Sequence, residues 1–213
     1  QREMDIAASI QEITEEIILK MVNHVHKETN MKNLCLAGGV ALNCVANGRV
    51  LRESPFEKIW VQPAAGDAGG ALGAAMSVWH RYLDKDRLVS KEQDIQKGSY
   101  LGPIFSNSEV KCFLENNRYP YHFLSENKRA NIIAKQIADG KIIGYMTGRM
   151  EFGPRSLGAR SIIGDPRSTE TQSVMNLKIK FRESFRPFAP SVLREKVSEY
   201  FDTSEASPYM LLV

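Results

Sequence analysis

An α/β fold is predicted by three observations in the first 82 residues. Apolar residues at steps of three and four mark helices, two short apolar runs lie between them, and paired glycines stand where a strand would turn into a helix. The order is helix, strand, helix, strand, helix, which implies a layer with a largely parallel sheet.

Ile6, Ile10, Ile13, Ile17, Met21 and Val25 make residues 3–29 one amphipathic helix. Asn33-Leu34-Cys35-Leu36-Ala37 is a short apolar run ended by Gly38-Gly39, read as a buried strand and a tight turn. A helix follows over 40–52 and ends at Ser54-Pro55. Lys58 to Gln62 is the second strand, 63–70 a loop of small residues, and 71–82 a helix. The polar stretch 84–98 is the predicted boundary, giving domains over 1–90 and 95–213. In the second half, helices are expected over 107–116, 126–138, 169–179 and 191–201. Strands are expected over 120–124, 141–146 and 160–163, with Gly140 at a helix C-terminus.

With 213 residues, 43% of them hydrophobic and 25% charged, the chain can bury a core. No run approaches the roughly 20 apolar residues of a membrane span. Cys35, Cys44 and Cys112 are odd in number and form no CxxC pair, which fits a reducing cytoplasm, with Cys35 and Cys44 as core thiols. The net charge of +3 is unevenly spread. Residues 1–140 carry 17 basic and 17 acidic side chains, whereas 141–186 carry nine basic against four acidic. Such a segment attracts phosphate, carboxylate or nucleic acid. The chain opens on Gln1 inside a predicted helix and stops at Leu211-Leu212-Val213, so both ends read as cut.

Four motifs carry the chemistry. Leu36 to Asn43 ends a strand in two glycines and opens a helix, an arrangement that lets backbone approach a phosphate, or is simply a tight turn. Pro63 to Ala75 sets the single carboxylate Asp67 among very small residues, as a metal ligand or a helix cap. Gly148 to Ser161 interleaves Arg149, Arg155 and Arg160 with glycines and a proline, suiting an oxyanion or pairing with local acids. Asn176 to Pro190 alternates basic and aromatic residues, as a phosphate clamp, a nucleic-acid surface, or a basic helix end with Phe181, Phe185 and Phe188 in the core. His24, His26, His80 and His122 have no metal spacing, and Asp165 before Pro166 reads as a turn residue.

Together these strings resemble the O-carbamoyltransferases of nodulation-factor and antibiotic biosynthesis. The matching stretches are Ala37-Gly38-Gly39-Val40-Ala41-Leu42-Asn43, Gly66-Asp67-Ala68-Gly69-Gly70-Ala71, Gly148 to Arg155 with Leu157-Gly158, and Phe181-Arg182-Glu183 with Phe185 to Pro190. The resemblance implies the C-terminal half of an actin- and sugar-kinase-like domain, followed by part of a threonylcarbamoyl-adenylate-synthase-like α+β domain. It implies ATP and a divalent metal, often iron, as cofactors. It implies carbamoyl phosphate, ATP and a small hydroxylated acceptor as partners, with no membrane or nucleic acid. Carbamoyl phosphate and ATP would give carbamoyl-adenylate and pyrophosphate, and the carbamoyl group would pass to the acceptor hydroxyl.

Carried onto matching positions, Asp67 is the metal ligand. Gly38, Gly39 and Asn43 meet the nucleotide, and Gly69 and Gly70 lie against its phosphates. Lys180 and Arg186 act on carbamoyl phosphate, with Arg149, Arg155 and Arg182 as further donor-binding residues. The family's two metal-binding histidines, four residues apart, have no counterpart in this sequence. The metal and carbamoyl phosphate sites are therefore expected to be incomplete, and this stretch alone inactive. Two other readings stand beside this one: an RNA-binding module using Lys178, Lys180, Arg182 and Arg186, and a tRNA-modifying threonylcarbamoyl-transfer relative.

Overall fold

The computed structural model describes residues 2–89, 94–203 and 206–213. The predicted boundary over 84–98 therefore lies partly, at 90–93, outside the described residues. Two compact units organise the chain. The first comprises Gln1–Ser99, Phe152–Arg155 and Ser207–Val213, and the second Tyr100–Glu151 and Ser156–Ala206.

In the first unit, α1 spans Arg2–Thr29, with Glu3 and Asp5 in its first turn and His26 and Lys27 in its last, as the helix dipole favours. Its packed side is Ile18, Leu19 and Val22, which meet Val50, Phe56, Leu34 and Ile59. The predicted apolar stripe lies elsewhere: Ile10 is 60% exposed and Met21 61%. The packed residues lie in the helix's C-terminal half, one position on from the stripe's Ile17 and Met21.

Strands β1 (Asn33–Leu36) and β2 (Lys58–Val61) pair in parallel, from Asn33 opposite Lys58 to Leu36 opposite Val61. The parallel pairing matches the sequence reading. The expectation that the first strand is wholly buried does not hold, because its side chains alternate between exposed and half-buried. Cys35 is accordingly exposed and Cys44 half-buried, so neither is the core thiol expected.

The predicted helix over 40–52 divides. Gly39–Leu42 forms a tight 3-10 turn, Asn43 leaves helical geometry, and α2 runs over Cys44–Glu53. Asn43 causes the break by capping α2, its side chain accepting from the Ala46 N–H at 3.1 Å. On α2, the buried Asn47 donates to the carbonyls of Ala41 (2.8 Å) and Leu211 (3.0 Å), tying the 3-10 turn and the chain's last residues to the helix. Helix α3 (Asp67–Ser77) begins at Asp67, before the predicted start at Ala71, and runs into a wide turn over Val78–Tyr82. Gly69 makes the early start possible: a Cβ there would lie 1.9 Å from the Ala64 carbonyl oxygen.

The second unit holds α4 (Asn107–Asn116), α5 (Glu126–Ala138), β3 (Ile143–Met146) and β4 (Arg160–Ile163). A capping box between Ser106 and Glu109 starts α4. Gly140, at φ +80°, ends the α5 segment in the left-handed conformation its missing Cβ permits. β3 and β4 pair antiparallel, from Ile143 opposite Ile163 to Met146 opposite Arg160. No strand forms over 120–124, where Pro120 cannot donate to a ladder.

Helix α6 (Thr171–Val174) continues as a wide turn over Met175–Lys180 and ends on Phe181 at φ +50°. Gly164 lets β4 run close beneath it, since a Cβ there would fall 2.7 Å from Thr171 Cγ2. The predicted helix over 191–201 shrinks to turns at Arg194–Lys196 and Val197–Tyr200. Leu193 and Tyr200 are exposed and give it no packing support. Among the described residues no helix is long and apolar enough to cross a membrane.

Candidate nucleotide and anion sites

In the first unit, the loops after β1 and β2 leave the carboxyl ends of two adjacent parallel strands, where open α/β sheets bind ligands. The Gly38 N–H donates to the Ala65 carbonyl at 2.8 Å, and the Gln62 N–H to the Leu36 carbonyl at 3.1 Å, so the loops are locked together. Ala41, Val61, Ala65 and Leu211 form the apolar floor. Gly38 adopts φ +99°, which favours glycine. Around Gly38, Gly39, Gly66 and Gly70 there is open space where a Cβ would be, so bare backbone faces outward. Helix α3 starts at this edge with Asp67 in its first turn. An open, glycine-lined edge of this kind suits a nucleotide's phosphates.

The predicted nucleotide residues do not all stand alike. Gly38, Gly39 and Gly70 present open backbone, whereas Gly69 is pressed against Ala64. The Asn43 side chain is occupied in the fold. It caps α2 and exchanges hydrogen bonds with the Gln11 amide, donating at 2.9 Å and accepting at 3.1 Å. Arg155 belongs to this unit, and its Nη2 donates to the Leu42 carbonyl at 2.8 Å, beside the glycine turn. Its buried Nε has no hydrogen-bond partner among the described residues.

Asp67 is exposed, and among the described residues no three His, Cys, Asp or Glu side chains gather to hold a metal. A divalent cation takes several oxygen or nitrogen ligands, so one carboxylate does not build that site.

In the second unit, Arg149, Thr147, Gly148, Tyr100, Gly158 and Ala159 line an open groove. Arg149 donates to the Gly102 carbonyl at 2.6 Å, and the Tyr100 hydroxyl to the Leu157 carbonyl at 2.5 Å. Beneath them lies Glu151, whose side chain is fully buried. Its Oε1 accepts from the N–H groups of Leu157 (2.6 Å) and Ala159 (2.8 Å), and its Oε2 from Arg160 Nε at 3.1 Å. Burial pushes the Glu151 carboxyl up, but its backbone donors outweigh that and hold it below the usual carboxylate range. Glu151 is the local acid that pairs with Arg160, and its further role as the loop's anchor has no sequence signal beyond its place in a glycine-rich stretch.

Among the described residues, three of the nine cations over 141–186 pair with local acids: Arg160 with Glu151, Arg167 with Asp165, and Arg186 with Glu183. Arg167 forks onto Asp165, whose carboxyl it holds down at about 2 and whose Oδ1 also accepts the Arg167 N–H, the turn role expected of Asp165. Lys180 ends the wide turn exposed, with no ion pair among the described residues. Arg182 lies 4.7 Å over the Phe188 ring, and its Nε donates to Asn176 Oδ1 at 2.6 Å. Asn176 is fully buried and was not singled out from sequence. The signal that points to it is a second amide, Gln172, one helical turn earlier. Phe181 (85% exposed) and Phe185 (56%) stay out of the core, because the chain reverses at Phe181 before reaching it.

Two family descriptions match this chain: Carbamoyltransferase N-terminus over residues 1–76, and Carbamoyltransferase C-terminus over residues 134–213. The chain is 60% identical, over its whole length, to protein sll1178 of Synechocystis sp., of which it covers 35%. It is 43% identical to the nodulation protein NolO of Bradyrhizobium diazoefficiens, again over its whole length and 39% of that protein. Nodulation protein U of Sinorhizobium fredii is 31% identical over 97% of the chain and 35% of its own length. The chain thus spans little more than a third of these curated relatives. With the family's N-terminal region carrying the glycine edge and its C-terminal region carrying the basic segment, the chain belongs to the carbamoyltransferase family.

Proposed function

We propose that the protein containing this chain is a cytoplasmic, ATP-dependent O-carbamoyltransferase acting on a small hydroxylated acceptor. The observation that carries the reading is the glycine edge: open backbone at Gly38 and Gly39, just past the carboxyl end of β1, and at Gly70 in the first turn of α3. That is the place and chemistry for a nucleotide. The fold reading goes with it. Residues 1–90 are the later part of an actin- and sugar-kinase-like nucleotide domain, and 95–213 the early part of a threonylcarbamoyl-adenylate-synthase-like domain.

The chemistry explains why both are needed. A carbamoyl carbon is attacked only when its leaving group is good, so the donor is activated through ATP. Atom balance requires that carbamoyl phosphate release inorganic phosphate to water and that the resulting carbamate oxygen attack the α-phosphate. Pyrophosphate leaves, and the acceptor hydroxyl then displaces AMP. Fixed cations neutralise the charge that moves onto the departing phosphates. Lys180 and Arg186 take that part, with Arg149 and Arg182 holding the donor. Lys180 is exposed and unpaired among the described residues, as a residue awaiting an anion would be. Asp67 is the one metal ligand proposed from this chain, and no step is assigned to a metal.

The RNA-binding alternative is not favoured. Arg160, Arg167 and Arg186 are tied to local carboxylates and Arg182 is held by Asn176, which breaks up the continuous basic surface such binding needs. The test uses the full-length protein. Pyrophosphate release from ATP should require carbamoyl phosphate, and Lys180→Ala should reduce it at least a hundredfold. Absence of pyrophosphate release, or full activity in Lys180→Ala, overturns the mechanism.

A further inference from the structure

We propose that Asn176, backed by Gln172, is the positioning residue that sets Arg182 and Arg186 for the anionic donor. This rests on the reading that the Arg182–Arg186 segment meets carbamoyl phosphate. One buried amide touches both arginine residues. Its Nδ2 donates to the Ser184 carbonyl at 3.0 Å and to the Arg186 carbonyl at 2.8 Å, while its Oδ1 accepts from Arg182 Nε at 2.6 Å. The Asn176 carbonyl also accepts the Arg182 N–H at 3.0 Å. Gln172, one turn earlier on the same face, donates to the Arg186 carbonyl at 3.0 Å and to the Phe185 carbonyl at 3.2 Å. The Arg186 carbonyl therefore receives two side-chain donors, and the Arg182 guanidinium is fixed between Oδ1 and the Phe188 ring.

A fully buried position normally takes an apolar residue, because a buried amide is costly unless its hydrogen bonds are met. Here both Nδ2 hydrogens and Oδ1 are used, and every side-chain bond goes to the segment that carries the arginines. The segment reverses at Phe181 in the left-handed conformation and has mostly exposed side chains; within it Glu183 pairs with the Arg186 guanidinium at 3.1 Å, but that pair is exposed and moves with the segment, so it does not define where the segment stands. Asn176 supplies that definition. A guanidinium held before the anion arrives binds it without the cost of ordering a loop.

The experiment is calorimetric titration of the full-length protein with carbamoyl phosphate in the absence of ATP. Asn176→Asp keeps the size and the acceptor oxygen but removes both N–H donors. Gln172→Leu removes the exposed amide alone. Arg186→Ala is the reference. Asn176→Asp should weaken binding at least tenfold and Gln172→Leu about threefold. In an Arg182→Ala/Arg186→Ala background Asn176→Asp should add less than twofold, a coupling that a merely structural residue would not show. Loss in Arg186→Ala with wild-type binding in Gln172→Leu and Asn176→Asp overturns the positioning role alone. Wild-type binding in Arg186→Ala removes the site reading beneath it. If Asn176→Asp does not fold, Gln172→Leu decides, and unchanged affinity there overturns the proposal.

Discussion

Glu151→Gln is the sharpest probe of the loop that joins β3 to β4. The wild-type carboxylate accepts two short bonds, from Leu157 N–H at 2.6 Å and Ala159 N–H at 2.8 Å, plus Arg160 Nε at 3.1 Å. A hydrogen bond to a charged group contributes about 1.5–3 kcal/mol and a neutral one about 0.5–1.5, so each bond loses roughly 1 kcal/mol when the charge goes. Three bonds give about 3 kcal/mol. Arg160 is 39% exposed, and water takes part of its share, which brings the total to about 2–3 kcal/mol. The Gln amide also turns a donor toward the guanidinium or the N–H pair. Hydrogen exchange followed by mass spectrometry over peptides covering 147–163 reads this directly. Protection of the Leu157 and Ala159 amides should fall about 30- to 150-fold, at ~1.4 kcal/mol per tenfold. Protection within twofold of wild type would show that the loop holds itself without the carboxylate, and the anchoring argument would fail.

Four further substitutions separate fold from site. Gly70→Ala meets open space and should leave stability within about 0.5 kcal/mol, yet cost at least tenfold in ATP affinity; equal affinity would remove the glycine edge from the nucleotide site. Gly69→Ala, whose Cβ would lie 1.9 Å from the Ala64 carbonyl oxygen, should instead lower the melting temperature and the soluble yield. Asn47→Ala leaves the Ala41 and Leu211 carbonyls without their donor inside the core and should cost about 2–3 kcal/mol in urea unfolding. Asp165 titrates at about 2 rather than 3.8, chiefly through its bonds to Arg167, so its stabilisation is complete above about pH 4 and lost as pH falls through 2. Asp165→Asn should therefore be less stable than wild type at pH 7, with the two unfolding curves converging near pH 2.

What sequence reveals here follows the range of the forces involved. Helix periodicity and turn chemistry are local, and Asn107–Asn116, Glu126–Ala138 and Arg160–Ile163 fall where pattern and caps predict them. The strand pairing of β1 with β2 follows from alternating elements. What sequence does not show comes where a side chain takes a partner distant in sequence or a competing local bond. Asn43 belongs to a string that resembles a nucleotide loop, but its amide caps α2 and meets Gln11, a contact 32 residues away. Asn176 opens a basic and aromatic string at the end of a predicted helix, but what it does depends on the carbonyls it meets at Ser184 and Arg186.

The same contrast separates the arginines. Charge counting treats all nine cations of 141–186 as one patch, and coordinates divide them by what each guanidinium touches. Arg155 lies beside the glycine turn in the first unit, Arg160, Arg167 and Arg186 pair with local carboxylates, and Arg182 is held by the buried Asn176 amide, which also bonds the Arg186 backbone carbonyl. A basic segment is thus three different pieces of machinery, and it is the uncharged residue Asn176, not the charge total, that says which cations are aimed.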